Sequence, residues 1–339
     1  MIRRPFAWSH PFFPQRDFKK GKLMSETAYL PIIDLGPARN GDYVTTGELI
    51  SNAFSASGFC YIRNHGIAEE LIQRTHDEAL DFFHAPMKEK LACKPKEAVR
   101  GFNALNRTTM YGAENPDYKE FYQIGLELSP DDPAVLAGQP LRGPNQWPAD
   151  RSAFRKAMTD YFEAVGVCGQ HLLRAVACSL GIAPDFFVSK YARPLQRTQA
   201  IWYPPHPPER EKDQFGVAPH TDYGCVTLLW QDGTGGLDVQ GVDGQWVPAP
   251  PIPGTLVINI GDLLCRWSNR RYNSNMHRVT NRSGKERLSI ATFYDPDYDA
   301  IVDPRDLNLP DGVPSLFPPV SAGEYIIGRI RESQKPKAS

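Results

Sequence analysis

The sequence predicts a mainly β fold, a sandwich or barrel, with flanking helices. Two observations carry this reading. After residue 195, short β-rich runs follow one another at close spacing, separated by Pro and Gly: "TQAIWY", "CVTLLWQ", "LDVQ", "QWVPA", "TLVINIG", "HRVTN" and "RLSIATFY". Strands this short and this frequent stack as two sheets or close on themselves. Before residue 195 the dominant pattern is amphipathic helix. Its longest stretch, 150–181, places Phe154, Met158, Tyr161, Phe162, Val165, Leu172, Leu173, Val176 and Ala177 at helical spacing.

Taken in order, "YLPIIDL" (29–35) reads as the first strand. "TTGELISNAFSASG" (45–58) reads as a helix with Leu49, Ile50, Ala53 and Phe54 on one side and Gly58 as its stop. "FCYIRN" (59–64) is a strand, Ala68 to Phe83 a second amphipathic helix, and "PMKEKLA" (86–92) a short helix with proline in its first turn. Residues 94–150 are irregular apart from "EFYQIGLEL" (120–128), which alternates like a strand. Gly181 suits the end of the long helix, and "APDFFVSKY" (183–191) reads as one more short helix. The expected division is a poorly ordered tail over 1–27, a helix-rich region over 28–194 packed on the barrel, a barrel core over 195–300, and a C-terminal extension over 301–339. Met24 is a candidate start, because the first core strand follows soon after it. The change near 195 is expected to be a change of layer and not a linker.

Composition narrows the function classes. Of 339 residues, 41% are hydrophobic and 23% charged, an ordinary globular balance. The formal net charge of −1 leaves no broad basic field for nucleic acid or an anionic membrane. No stretch approaches the roughly 20 apolar residues of a membrane helix, and residues 1–24 contain no apolar core of a secretory signal. Cysteines 60, 93, 168, 178, 225 and 265 form no C-x-x-C pair, and several sit in apolar runs. They read as buried free thiols in a reducing cytoplasm. A small molecule is the expected partner, and oligomeric state stays open.

Three features of the β half carry chemistry. In "APHTDYGCVTLLW" (218–230), His220 and Asp222 are two apart, which on a strand would place both on one face. His277 in "NSNMHRV" follows 57 residues later, and Arg287–Leu288–Ser289 ten residues after that. Two histidines and one carboxylate on one face of an octahedral ion leave three positions open, which suits non-haem Fe(II). The third ligand must then come from a neighbouring strand. Arg287 and Ser289 offer a guanidinium fork and a hydroxyl, a pair suited to one carboxylate of a dicarboxylic acid. Each feature alone has an ordinary reading, as strand-end polarity, a hydrogen-bonded histidine or a surface arginine. Order and spacing together make the case.

Those motifs, with "WYPPHP", "VINIGD", "GDLLCRWSN", "NSNMHRVTN" and, upstream, "LPIIDL", "GFCYIRNHGI", "FFHAPMKEKLA" and "GPNQWP", resemble the isopenicillin N synthase-like branch of the Fe(II)/2-oxoglutarate-dependent dioxygenases, over roughly residues 29–300. The resemblance implies a double-stranded β-helix, a jelly-roll, cupin-like barrel flanked by helices. It implies Fe(II) on His220, Asp222 and His277, and the C5 carboxylate of 2-oxoglutarate on Arg287 and Ser289, assisted by Tyr203. With O2 as co-substrate, the products would be succinate, CO2 and an oxidised small molecule such as an amino acid or specialised metabolite. Hydroxylation is the expected outcome, with desaturation or ring closure as related ones. One departure is Ile201, where many members carry Asn two residues before that tyrosine. Tyr223, Phe293 and Phe102 are substrate-contact candidates, and Glu120 a weaker one. Asn259 and Asp262 read as scaffold, and Arg266, Arg270 and Arg271 as solvated surface. Two alternatives stand beside this reading: a 2-oxoglutarate-independent Fe(II) oxidase of the isopenicillin N synthase type, and a non-catalytic barrel that binds a small molecule.

Overall fold

The computed structural model describes residues 30–96, 99–106, 109, 115–206, 214–241 and 243–333. The expected tail and Met24 lie outside the described residues. The first half contains β1 (Ile32–Asp34), α1 (Gly36–Arg39), α2 (Tyr43–Ala56), β2 (Phe59–Arg63), α3 (Glu69–His84), α4 (Met87–Ala92), β3 (Gly101–Asn103), β4 (Glu120–Gly125), α5 (Pro133–Leu136), α6 (Ser152–Ser179) and α7 (Asp185–Val188). The second half contains β5 (Arg197–Tyr203), β6 (Val217–His220), β7 (Val226–Gln231), β8 (Leu237–Gln240), β9 (Trp246–Pro248), β10 (Thr255–Ile260), α8 (Asp262–Trp267), β11 (His277–Val279), β12 (Arg287–Tyr294), β13 (Ile301–Val302), β14 (Val320–Ser321) and α9 (Ala322–Ser333).

Strand alternation builds two facing sheets. The larger has eight strands in the order β1-β2-β10-β7-β12-β5-β4-β3, and the smaller has four in the order β6-β11-β8-β9. β12 shows how the layers are made. Leu288, Ile290 and Tyr294 point to a core shared with Phe54 of α2, Phe82 of α3 and Leu172 of α6. Ala291 and Phe293 face the opposite way, into a second core with Val217, Leu237 and Val279 from the smaller sheet. One face of the large sheet is therefore covered by helices, and the other closes on the small sheet. This is the double-stranded β-helix with flanking helices that the sequence led us to expect.

The structure changes several local expectations. β1, β2, β3 and β4 come from the helix-rich half yet pair into the large sheet, β2 against β10 and β4 against β5. The sheet thus continues across residue 195. Asp262, read as scaffold, opens helix α8. β3, three residues long in the irregular stretch, is too short to carry a period. All six cysteines are free thiols. Among the described residues no helix is long and apolar enough to cross a membrane.

The helical layer depends on α6, where Leu172 is fully buried. Leu172→Ala is expected to cost about 2–5 kcal/mol, the usual range for an unfilled core cavity. A urea melt should show a lower midpoint with an unchanged slope.

Candidate metal centre and co-substrate pocket

β6 and β11 pair antiparallel with His277 opposite His220. The two imidazoles meet with ring centroids 4.2 Å apart. Asp222 reaches the same point by another route. His220 is the last residue of β6, and the chain then turns through Asp222 and Gly224 to start β7 in the other sheet. The two ligand candidates are therefore not on one strand, and "CVTLLW" is the strand that departs from them. The turn is pinned by Asp262 N–H donating to the Asp222 carbonyl (2.7 Å) and Leu263 N–H donating to the Gly224 carbonyl (3.0 Å). Cys225 N–H donates to the buried carboxylate of Asp295 at 2.7 Å. Glycine is required at 224 because a Cβ there would collide with that carboxylate.

Asp222 divides its two oxygens. Oδ2 accepts from Thr227 Oγ1 at 2.6 Å and from Asn259 Nδ2 at 2.7 Å. Oδ1 faces His220 Nε2 at 3.6 Å and His277 Nε2 at 3.7 Å. The three candidate ligand atoms lie within 4.8 Å of one another. Each histidine turns its Nδ1 toward a backbone carbonyl, Ala218 for His220 (2.9 Å) and Asn275 for His277 (3.3 Å). That places the proton on Nδ1 and leaves the Nε2 lone pairs facing Asp222.

Electrostatics agree with this assignment. Burial pushes the His220 imidazole well below its usual range, and the His277 charge adds to this against the pull of Asp222. Burial opposes ionisation of Asp222. The His277 and His220 charges and the Thr227 and Asn259 hydrogen bonds outweigh it, and the carboxyl lies below its usual value. Near neutral pH the site therefore offers a neutral His220 and an ionised carboxylate, the protonation states a metal requires. A buried carboxylate facing two imidazole lone pairs fits a divalent cation, which would balance its charge.

The second half of the pocket is built around Arg287, a wholly buried guanidinium. Nη1 donates to Ser289 Oγ (3.2 Å), Nη2 to Gln231 Oε1 (3.0 Å), and the guanidinium carbon lies 4.8 Å from the Tyr203 ring centroid. These partners are neutral, and Nε is buried with no hydrogen-bond partner. An uncompensated buried cation costs several kcal/mol, so this end of the pocket fits a carboxylate. Arg287 and Ser289 share a cavity of ≈ 220 Å³ with the three metal-ligand candidates.

Other expectations sort by position. Tyr223 and Phe293 line the cavity, as does Ile201, which lies opposite Ser289 in the sheet register. Phe102 does not line it. Its ring is buried against Phe82 (5.9 Å between centroids), with Lys90 Nζ 5.2 Å from its centre. Glu120 is also withdrawn, in a buried ion pair with Lys90 at 2.7 Å. Of the three arginines read as surface, Arg270 is exposed. Arg266 and Arg271 are half-buried and donate to the carbonyls of Pro318 and Leu307. Asp262 accepts from Ser274 and pairs with Arg329 of α9.

Sequence reasoning missed Thr227 and assigned Asn259 to scaffold. Both hold Asp222, and they are opposite each other in the β10–β7 register. The available signal was a polar residue at an inward position of an otherwise apolar strand.

Asn259→Ala and Thr227→Val are each expected to weaken divalent-metal binding about 10–100-fold, the usual effect of freeing a ligand's supporting hydrogen bond. An anaerobic Fe(II) titration of folded variants reads this directly. For the metal-free protein, the low imidazole pKa of His220 means that the unfolded chain binds protons the fold refuses. Its stability should therefore fall as pH drops below about 6.5, the unfolded imidazole value. Denaturant melts across that range check the sign.

Comparisons with known proteins agree with this geometry. Residues 184–296 match the family model for the 2OG-Fe(II) oxygenase superfamily, and residues 30–150 the one described as non-haem dioxygenase in morphine synthesis N-terminal. The chain is 34% identical over 313 residues to the 2-oxoglutarate-Fe(II) type oxidoreductase hxnY of Emericella nidulans, covering 89% of this chain and 90% of that one. It is 32% identical over 323 residues to the homoarginine-6-hydroxylase 2-ODD-233 of Oryza sativa subsp. japonica, covering 90% and 98%. The crystal structure of a full-length Neurospora crassa protein in complex with alpha-KG and thymine superposes with a TM-score of 0.80 at 28% identity, covering 91% of this chain and 98% of that chain. The chain belongs to the 2OG-Fe(II) oxygenase superfamily and is an Fe(II)- and 2-oxoglutarate-dependent oxidoreductase.

Proposed function

We propose that this protein hydroxylates a small organic molecule in the cytoplasm, with Fe(II) held by His220, Asp222 and His277. Arg287, Ser289 and Tyr203 receive the C5 carboxylate of 2-oxoglutarate. The observation that carries this reading is the pairing of two incomplete sites in one cavity. The ionised Asp222 faces two imidazole lone pairs, and the buried Arg287 has an unpartnered Nε. One site calls for a cation and the other for an anion. Bound Fe(II) supplies the activation of O2, coupled to conversion of 2-oxoglutarate to succinate and CO2.

The chain's own residues supply positioning. The Ala218 and Asn275 carbonyls orient the imidazoles, and Thr227 and Asn259 keep one oxygen of Asp222 aimed at them. The guanidinium of Arg287 fixes the far end of the co-substrate. Apolar walls from Phe59, Val217 and Leu229 limit water around the reacting groups. Tyr223 and Phe293 face the substrate in this reading. The rice relative is named for homoarginine, and the Neurospora crassa structure holds thymine. An amino acid or a specialised metabolite of that size is the proposed substrate, with neither nucleic acid nor membrane as partner.

His220→Ala should abolish Fe(II)-dependent succinate release from 2-oxoglutarate, and wild-type release by that variant would overturn the assignment. Arg287→Ala should weaken 2-oxoglutarate binding by about 1.5–3 kcal/mol, the range for a charged hydrogen bond, or roughly 10–100-fold. Ser289→Ala should cost less, about 0.5–1.5 kcal/mol. Anaerobic binding isotherms for 2-oxoglutarate measure both.

A further inference from the structure

The cavity is reached by more cationic side chains than the co-substrate needs. Besides Arg287, two cations reach its wall: Lys119, just before β4, and Arg197, the first residue of β5. Their side chains keep only 8% and 13% of their exposure, so neither is a surface charge. Each is backed by a carboxylate that does not line the cavity. Lys119 Nζ lies 3.1 Å from Asp117, and Arg197 Nη2 donates to Asp295 at 2.8 Å. Among the described lining residues the only carboxylate is Asp222, the metal-ligand candidate.

Arg197 has a donor to spare. Its Nε is buried and has no hydrogen-bond partner. The guanidinium is held on both sides, by Asp295 and by the Phe293 ring, whose centroid is 5.0 Å from the guanidinium carbon. A fork fixed in this way loses little freedom when it binds a planar anion. Beside it, Gln199 Nε2 donates to Gln123 Oε1 at 2.7 Å, and Gln123 Nε2 donates to the Val99 carbonyl at 2.8 Å. This polar end is distinct from the Arg287 end. In the β12–β5 register Arg287 lies opposite Tyr203, and Phe293 lies opposite Arg197. Six residues of strand separate the two levels, about 20 Å at a rise of about 3.3 Å per residue.

We propose that the primary substrate is a small organic carboxylate without a cationic group, which narrows the reading above to a metabolite acid and sets amino acids aside. Its acid group binds Arg197, with Lys119 adding positive potential, and its apolar body lies against Phe293 and Phe121 beneath Tyr223. The inference rests on reading the cavity as the oxygenase site. The physical reason is which charge faces the cavity: Asp117 and Asp295 pair with Lys119 and Arg197 from outside the lining, so a cationic substrate would meet the cationic side of each pair with no lining carboxylate left for it, whereas a carboxylate completes the spare donor of Arg197.

The test uses the Fe(II)- and 2-oxoglutarate-loaded protein and a matched panel: phenylacetate, hexanoate, their primary amides, and 2-phenylethylamine and hexylamine. Anaerobic titration reads binding, and aerobic succinate release reads turnover. The acids are expected to bind at least tenfold more tightly than their amides, and the amines least. Equal binding of acid and amide, a preference for amine, or no binding by any acid would overturn the proposal. Arg197→Gln alone would strand Asp295, so it is paired with Asp295→Asn. The R197Q/D295N protein should lose the acid preference, and Arg197→Lys should keep part of it. A full preference in R197Q/D295N would count against Arg197, and if that protein fails to fold, the wild-type panel decides. Loss of all Fe(II)-dependent succinate release in the wild type would sink the oxygenase assignment itself. Succinate release without acid preference would sink only the substrate inference.

Discussion

The carboxylate of Asp222 joins the two sheets of the barrel. Thr227 and Asn259, both on the large sheet, hold one oxygen. The other faces imidazoles carried by β6 and β11 of the small sheet. The separation of the sheets at this level is therefore tied to the reach of one short side chain. Much of the local architecture serves that constraint. The Asp222–Gly224 turn crosses between sheets, Asp295 receives its far end, and α8 donates backbone N–H groups to its carbonyls. A buried carboxylate with only neutral donors would be costly on its own. It is tolerable where a cation completes it.

The same logic orders the rest of the cavity. Charged side chains in the interior fall into two kinds. Lys90–Glu120 is paired away from the cavity, and Lys119–Asp117 and Arg197–Asp295 are paired with only the cation reaching the cavity lining. Asp222 and Arg287 lack an oppositely charged side chain of their own among the described partners, and both face the cavity. Binding of ligands that satisfy them adds to the stability of the folded state, because only the fold brings these groups together.

Legibility in the sequence followed the scale of the pattern. The long helix, the closely spaced strands and the barrel class were readable because periodicity extends over many residues. His277 opposite His220 was readable as a requirement that two strands be neighbours. The path of the chain between His220 and Asp222 was not. A five-residue turn has no period, and residues two apart look alike on a strand and across a sheet crossing. Phe102 illustrates a different limit. An aromatic residue in an irregular segment can face a cavity or a helical core with equal local propriety, and its partners Phe82 and Lys90 are distant enough in sequence to leave no trace. Asn259 and Thr227 were legible in principle, since each is a polar break in an apolar strand. Lys119 and Arg197 were not, because only the packed sheet shows which charges turn inward.

The pairing of β4 with β5 has a consequence for how such a chain can be recombined. Two family models meet this chain on either side of residues 150–184, which invites treatment of the halves as interchangeable parts. The hydrogen-bonded ladder says otherwise. Glu120 to Gly125 on one half is registered residue by residue against Trp202 to Arg197 on the other, and the cavity is lined by residues of both. A hybrid that takes its halves from two relatives would join strands never selected to face each other. Recruitment of new substrates on this scaffold is then a matter of paired changes across one seam.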